Sequence, residues 1–394
     1  MSNIKKQIFF FLFVSFHLAH ISSDLIDCTT DNQLDFLFFS DTHIPPNENF
    51  ENLMADVASN NITFDAILIA GDLTNFQAEW QYDVEKNVES INNITLLLNL
   101  LSEKISFNKP IFWVPGNHDA WDLFLPSNAT FNTFQLTNTS FNVHNRTVEI
   151  CEKNGISLYI TGIGGSTNST NYQNITAWPG FPWTEQEPYQ ELMFDLMEQI
   201  PSQAQTIFLS HVGPADSSTT LVTGWDTESM DDINVRAPED YIFSGSSAIR
   251  NCISDIDTQK KLIANVHGHT HQSMGQASIG RTRILNGGSV QWTNSYGIVT
   301  VALSQAPCAN NTCEWQVVKS KFRRYGQGFT STEECAEAQA QVVSNNNSNQ
   351  DAIFWVLVAI FGALSANIFL IVAGTVYIVR KMKKYQEIPD QSQA

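Results

Sequence analysis

The chain reads as an α/β protein in which layers of sheet are covered by helices. Two observations set that class. Short apolar runs rich in Ile, Leu, Val and Phe are separated by segments of helical periodicity, so strand, helix and strand follow one another and pair in parallel. Several of these runs also end in a small cluster of Asp, Asn or His, the pattern of buried strands that carry chemistry at their C-terminal ends. A hydrophobic fraction of 43% over 394 residues supports a real core and excludes disorder for most of the chain.

Residues 34–39, apolar apart from Asp35, form the first strand, and residues 66–70 the second. Between 79 and 104, Val84, Val88, Ile91, Leu98 and Leu101 recur at helical spacing and predict a crossover helix, followed by a third strand at 111–114. Residues 121–150, rich in Asn, Thr and Phe, read as an irregular excursion. A strand at 155–165 comes next. A helix at 185–199 then opens with Thr184 and Glu187 in capping-box register. A strand at 207–209 precedes a polar stretch, 212–250, which serves either as a rim that shapes specificity or as a solvated spacer. Further strands fall at 262–266, 282–285, 297–303 and 314–319, with Asn286-Gly287-Gly288-Ser289 as a tight turn.

Both ends carry targeting patterns. Lys5 and Lys6, an apolar run and small polar residues predict a signal peptide over 1–23. The uncharged segment 352–379 is long enough to span a bilayer, and Arg380, Lys381, Lys383 and Lys384 follow it at once. The expected topology is therefore single-pass type I. The N-terminal domain (24–305), a Cys-containing extension (306–343) and a polar stalk (344–351) are lumenal or extracellular, and 380–394 is a cytoplasmic tail. In that tail Tyr385 and Ile388 sit in a Tyr-Gln-Glu-Ile run similar to sorting signals, which would engage an adaptor and direct the protein to endosome or lysosome; without it the cell surface is expected. Sequons at Asn61, Asn93, Asn128, Asn138, Asn145, Asn168, Asn174, Asn310 and Asn346 agree with a secretory route. Six cysteines on that side favour disulfides, with only Cys308 and Cys313 suggested as a pair by spacing. With 21 Lys and Arg against 40 Asp and Glu, the chain carries a net charge of -19, which excludes a nucleic-acid polymer as partner.

The clusters are Asp41-Thr42-His43, Gly71-Asp72, Gly116-Asn117-His118-Asp119, Ser210-His211 and Gly268-His269-Thr270-His271. Carboxylate, amide oxygen and neutral imidazole suit Zn, Fe or Mn, and five clusters delivered by five strand ends can enclose a pair of such ions. A lone Asp after a strand is ordinarily a turn or a cap, and a lone His a satisfied core residue. The ordered set is what departs from that reading.

This order of motifs, over roughly residues 34–303, resembles the calcineurin-like metallophosphoesterase superfamily. Its Gly71-Asp72-Leu73-Thr74 run with Glu79, Trp80 and Tyr82 looks closest to eukaryotic transmembrane members. The resemblance implies an αββα sandwich and two divalent or trivalent cations. It puts Asp41, His43 and His271 on one cation and Asn117, His211 and His269 on the other, with Asp72 bridging. It further implies hydrolysis of a small phosphomonoester or phosphodiester by attack of a metal-bound hydroxide, with His118 as general acid. Where many relatives have an Asp that orients this acid, the chain has Asn75. Asp119 either assists the acid or caps its loop, and His267 matches no ligand position. An alternative from another class is a weakly active or inactive receptor or adhesion module on the same scaffold.

Overall fold

The computed structural model describes residues 25–28, 33–44, 48–125, 132–171, 173, 175–223, 241–304 and 313–331. The signal peptide, the stalk, the apolar segment 352–379 and the tail with Tyr385 and Ile388 lie outside them. Among the described residues no helix is long and apolar enough to cross a membrane.

One sheet contains β1 (Gln33–Phe39), β2 (Ala66–Ile69), β3 (Ile111–Trp113), β4 (Ser140–Asn142), β15 (Ser295–Leu303), β16 (Trp315–Arg324) and β17 (Thr330–Ser331), in the order β17-β16-β15-β1-β2-β3-β4. A second contains β5 (Arg146–Lys153), β6 (Ile156–Ile163), β9 (Gln205–Ser210), β12 (Leu262–His267), β13 (Gly275–Ile279) and β14 (Thr282–Asn286), ordered β13-β14-β12-β9-β6-β5. Strands β1 to β4 are parallel, as are β6, β9, β12 and β14. Of the six helices, α1 (Glu48–Ser59) and α2 (Val84–Leu101) precede α3 (Gln186–Gln199), α4 (Ser247–Ser254), α5 (Ile256–Lys261) and the short α6 (Val290–Thr293) among the described residues.

The layering follows from the alternation along each strand. Leu37, Phe39, Ile67, Ile69, Ile111 and Trp113 pack outward on Phe50, Leu53 and Val57 of α1 and Ile91, Ile94 and Leu98 of α2. The residues between them, Phe36, Phe38, Leu68 and Phe112, face Leu158, Ile160, Ile207, Leu209 and Val266 of the second sheet. That sheet's other face, with Ile163, Phe208 and Ile284, is covered by Tyr189, Met193 and Leu196 of α3 and Ile249 and Ile253 of α4. Helices, sheet, sheet and helices thus stack in four layers. One consequence decides where the chemistry sits: β1, β2, β3, β9 and β12 all bring their C-terminal ends to the same edge.

Several expectations are corrected. The excursion at 121–150 supplies β4, which contains Phe141, and part of β5, which contains Thr147, both residues suited to strands. The stretch 212–250 contributes β10 (Leu221–Thr223) and β11 (Tyr241–Phe243), which join β7 (Ser169–Asn171) and β8 (Thr176–Trp178) in a small sheet ordered β10-β11-β7-β8. No capping box forms at α3: Glu185 is the N-cap and makes no side-chain cap bond, while the Thr184 carbonyl accepts from Asn168 Nδ2 at 2.9 Å. The first sheet runs past the domain boundary expected at 305, since β16 pairs with β15 along its length. Val84, placed on the apolar face of α2, is exposed, because it starts the helix before the sheet begins to cover it.

Cys28 and Cys151 form a disulfide across 123 residues of sequence, which ties the N-terminal segment to β5. Cys313 is disulfide-bonded, and Cys308, its expected partner, lies outside the described residues. Cys252 is a buried free thiol on α4, so the expectation that all six cysteines pair is corrected: its Sγ faces Thr258 inside an apolar cluster. The sequon at Asn168 is in structural use. Its Nδ2 bonds Thr184, and its Oδ1 accepts the Gly180 N–H at 2.7 Å.

A buried ion pair fastens α1 to β15 and β16. Asp56 accepts two bonds from Arg323, at 2.6 and 2.9 Å, and one from the Tyr296 hydroxyl at 2.7 Å. Burial opposes the Asp56 charge, but the Arg323 and Tyr296 bonds outweigh it and hold the carboxyl below its ordinary value. The stabilisation is therefore present above ordinary carboxylate pKa values and lost as pH falls through the depressed one. Asp56→Ala, which leaves Arg323 unpaired, is expected to lower unfolding stability by about 3 kcal/mol at neutral pH. In denaturant titrations this difference from the parent protein should shrink as pH falls below the ordinary carboxylate range and the depressed carboxyl takes up its proton.

Candidate metal centre

Four of the expected ligands sit on left-handed backbone: Asp41 (φ 55°), His43 (φ 46°), Asp72 (φ 53°) and His269 (φ 64°). Such a conformation is unfavourable for residues with a Cβ and persists only where surroundings enforce it. Here the turn directly after each strand end throws the side chain back across the sheet edge. The result is two groups of ligand atoms that share one carboxylate. Asp41, His43, Asp72 and His271 form one, and Asp72, His211 and His269 the other; within each, the candidate atoms lie within 4.8 Å of one another. His211 Nε2 is 2.8 Å from Asn117 Oδ1, which adds the amide to the second group.

Asp72 is the common member. Its Oδ2 faces His211 Nε2 at 3.3 Å and His43 Nε2 at 3.7 Å, while its Oδ1 accepts the His118 N–H at 2.7 Å. Asp41 Oδ1 meets His271 Nε2 at 3.1 Å, and its Oδ2 accepts from the Ser40 hydroxyl and from the His269 N–H. Close approach of the backbone is essential at Gly116, where a Cβ would stand 2.1 Å from Asp72 Oδ1. Another would meet His211 Nδ1 at 2.6 Å if Gly71, at φ 87°, were substituted.

Electrostatics prepare these groups as ligands. Burial disfavours the Asp72 charge, but the His211 and His118 side chains outweigh it and hold its carboxyl well below the usual range. Asp41 is held low in the same way by His271. Burial keeps His43 neutral against the pull of Asp72, and lowers His269 to about 3. His211 is opposite in sign: burial opposes its charge, yet Asp72 raises it to about 9, so a cation at this point would replace a proton. The Nε2 atoms of His43 and His269 are buried without any hydrogen-bond partner. Unsatisfied buried nitrogens are costly unless something accepts their lone pairs, and neutral imidazole beside carboxylate is a donor set for a divalent transition metal. The residues present therefore fit a pair of cations.

The other candidates fall where their bonds put them. Asn75, expected to orient His118, bonds His43 instead: its Oδ1 is 3.0 Å from His43 Nδ1 and its Nδ2 donates to the His43 carbonyl at 2.9 Å. The ring of His118 is held by the Phe76 carbonyl, 3.1 Å from Nδ1. Asp119 is buried, and its carboxylate takes the N–H groups of Leu73, Thr74 and Gly116; burial and the Asp72 charge push it up to about 6. It is a loop tie. His267, which matched no ligand position, is buried with its Nε2 2.9 Å from the Thr219 hydroxyl.

Residues that sequence reasoning missed lie behind and beside the ligands. The His211 Nδ1 bonds the Ala70 carbonyl at 2.8 Å, which frees Nε2. Ser289 donates to the Asp41 carbonyl at 3.1 Å and caps α6 through the Trp292 N–H. Asp72, Asn117, His118, His269 and His271 open into a cavity of about 550 Å³, walled by Trp178, Phe181, Val222, Trp292 and Glu79 among others. Only the Ser289 turn carried a sequence signal, the Asn286-Gly287-Gly288-Ser289 run that ends at this N-cap.

Residues 34–273, more than half of the chain, match the calcineurin-like phosphoesterase family, and the chain belongs to it. No protein with a curated description matches in sequence. Solved structures similar to it include a dimetal phosphatase from Danio rerio, with 10% identity, a TM-score of 0.41, and 76% of this chain and 99% of that one covered. Another is GAP50, the anchor in the inner membrane complex of Plasmodium, with 12% identity, a TM-score of 0.43, and coverage of 76% and 89%.

Gly116→Ala is expected to displace the Asp72 carboxylate while leaving the strands intact. Elemental analysis of the purified variant should give about one metal equivalent or fewer, against about two for the parent chain, with an unchanged far-UV spectrum. Equal metal content in both would refute the close-packing argument.

Proposed function

We propose that the protein is a membrane-anchored, dinuclear-metal phosphoesterase that hydrolyses a small phosphomonoester or phosphodiester on the lumenal or extracellular side. The observation that carries this reading is the pair of ligand groups joined at Asp72, with two buried imidazole nitrogens left for a cation to satisfy. In it, Asp41, His43 and His271 hold one cation, Asn117, His211 and His269 the other, and Asp72 both. Cations bound there supply Lewis acidity toward phosphoryl oxygens and lower the pKa of water.

The chain's own contribution is orientation and proton transfer. Because Nδ1 of His118 lies on the Phe76 carbonyl, that nitrogen is the donor, and Nε2 is the atom able to carry a second proton. As the bond from water oxygen to phosphorus forms and the bond to the leaving alcohol breaks, His118 gives its Nε2 proton to the departing oxygen. The proton of the attacking water leaves to solvent, so the imidazole is restored by one further protonation. Asn75 keeps His43 in the tautomer whose Nε2 faces the cluster.

Purified protein loaded with Zn, Mn or Fe should hydrolyse a chromogenic phosphoester, and chelation or Asp72→Ala should abolish that turnover. His118→Ala should lower kcat by roughly 10²–10⁴ with bound metal unchanged; a variant as active as the parent would remove His118 from the mechanism.

The membrane assignment rests on the leader pattern and the uncharged segment 352–379 with basic residues after it. Tyr385 and Ile388 support endosomal or lysosomal delivery through a sorting adaptor. Microscopy of Tyr385→Ala in transfected cells should then show redistribution to the cell surface, and an unmoved distribution would leave the tail without a sorting role.

A further inference from the structure

We propose that Trp292 selects phosphoesters whose alcohol carries a planar aromatic ring, an aryl alcohol or a nucleoside, by presenting its indole as a stacking wall at the mouth of the site. This deepens the phosphoesterase reading and rests on it. Trp292 is 51% exposed although it lines the cavity, whereas Val290 on the same short helix is fully buried. Its ring lies 6.2 Å from that of His271 with an interplanar angle of 20°, a stacked arrangement that fixes one face and leaves the rest of the indole open.

The wall is rigidly referenced to the metal ligands. Ser289 Oγ accepts the Trp292 N–H and donates to the Asp41 carbonyl, while the N–H groups of Val290 and Gln291 bond the carbonyls of Ser40 and Asp41. The backbone of Trp292 is therefore tied to the backbone that carries Asp41. On the other metal group, the ring of Trp178 stands 6.4 Å from His269, nearly perpendicular at 84°, and also faces the cavity, with Phe181. A group leaving the phosphorus thus departs into an aromatic enclosure. Stacking on aromatic side chains is favourable for any flat ring and indifferent to its hydrogen-bonding edges.

The same lining weighs against other alcohols. Among the described residues no Lys or Arg lines the cavity, and Glu79 adds a carboxylate to it. Among the described residues, further phosphates on the leaving group would meet no cationic side chain in the lining.

The experiment uses the full-length, metal-loaded protein with an aryl phosphate, a nucleoside 5′-monophosphate and a hexose phosphate. Trp292→Ala should lower the ratio of kcat/KM for each aromatic substrate to that for the hexose phosphate by roughly tenfold, mainly through KM. Trp292→Phe should restore most of it. A fall confined to the aryl or to the nucleoside ester would support the wall and identify the source. In parallel, calorimetry compares phenylphosphonate with methylphosphonate, and Trp292→Ala should narrow their difference in Kd by a similar factor. Turnover with unchanged ratios would overturn this inference and leave the phosphoesterase reading intact. Absent turnover together with a Trp292-dependent preference for phenylphosphonate would keep the aromatic site and overturn the hydrolase. Absence of both would overturn both.

Discussion

A carboxylate buried in the middle of a protein must be compensated, and Asp72 is that carboxylate here. It is 1% exposed at the end of β2, on backbone that an L-residue adopts reluctantly. Desolvation of an unpaired charge costs several kcal/mol, by general experience of buried ions. The surrounding chain meets this with a backbone N–H from His118, an imidazole on either side, and glycines that let the strand ends close in. The parallel pairing of β1, β2 and β3, and of β9 with β12, brings those compensating groups from distant parts of the sequence to one edge. The scaffold and the charge explain each other: without the sheets the imidazoles would not converge, and without the imidazoles or a cation the carboxylate would not stay ionised in the interior.

Three of the ligands and the acid His118 are themselves held. His43 leans on Asn75, His211 on the Ala70 carbonyl, Asp41 on Ser40 and the cap of α6, and His118 on the Phe76 carbonyl. Asp119 joins the loops after β2 and β3 by accepting from Leu73, Thr74 and Gly116 at once. These contacts oppose the strain of the four left-handed residues and fix which ring nitrogen faces inward. Outer partners of this kind tune ligand basicity and geometry as much as the ligands do. They also explain why the turns are short: each ligand needs a backbone carbonyl or N–H within reach.

The order of the clusters and their residue types made the convergence legible in the sequence, since carboxylate, amide and imidazole after successive strands have few other uses. The apolar runs located β1, β2, β3, β9, β12, β14, β15 and β16 for the same reason. What escaped was anything fixed by tertiary contact. Asn75 is adjacent in sequence to Thr74 but its partner, His43, lies in the loop after a different strand, and no spacing rule connects them. α1 has only Phe50, Leu53 and Val57 as its apolar stripe, too few periods to stand out. β10 and β11 have three residues each; they pair with each other, and β11 pairs in turn with β7. Cys252 looks like any other cysteine until its apolar cluster is seen.

The acidity of the whole chain finally makes sense against the site. A net charge of -19 disfavours any approaching phosphate, and the cavity brings no Lys or Arg of its own among the described residues. Two carboxylates held ionised against one protonated imidazole, His211, with His43 and His269 held neutral, put more negative than positive charge among these groups. Cations would reverse the local sign whatever the global charge. On the proposed reading, affinity for a phosphoester is conditional on metal loading, while the aromatic walls act on the remainder of the molecule. Recognition divides along the same line as the chemistry, with the charged end assigned to the ligand cluster at the strand ends and the uncharged end to the indoles that surround it.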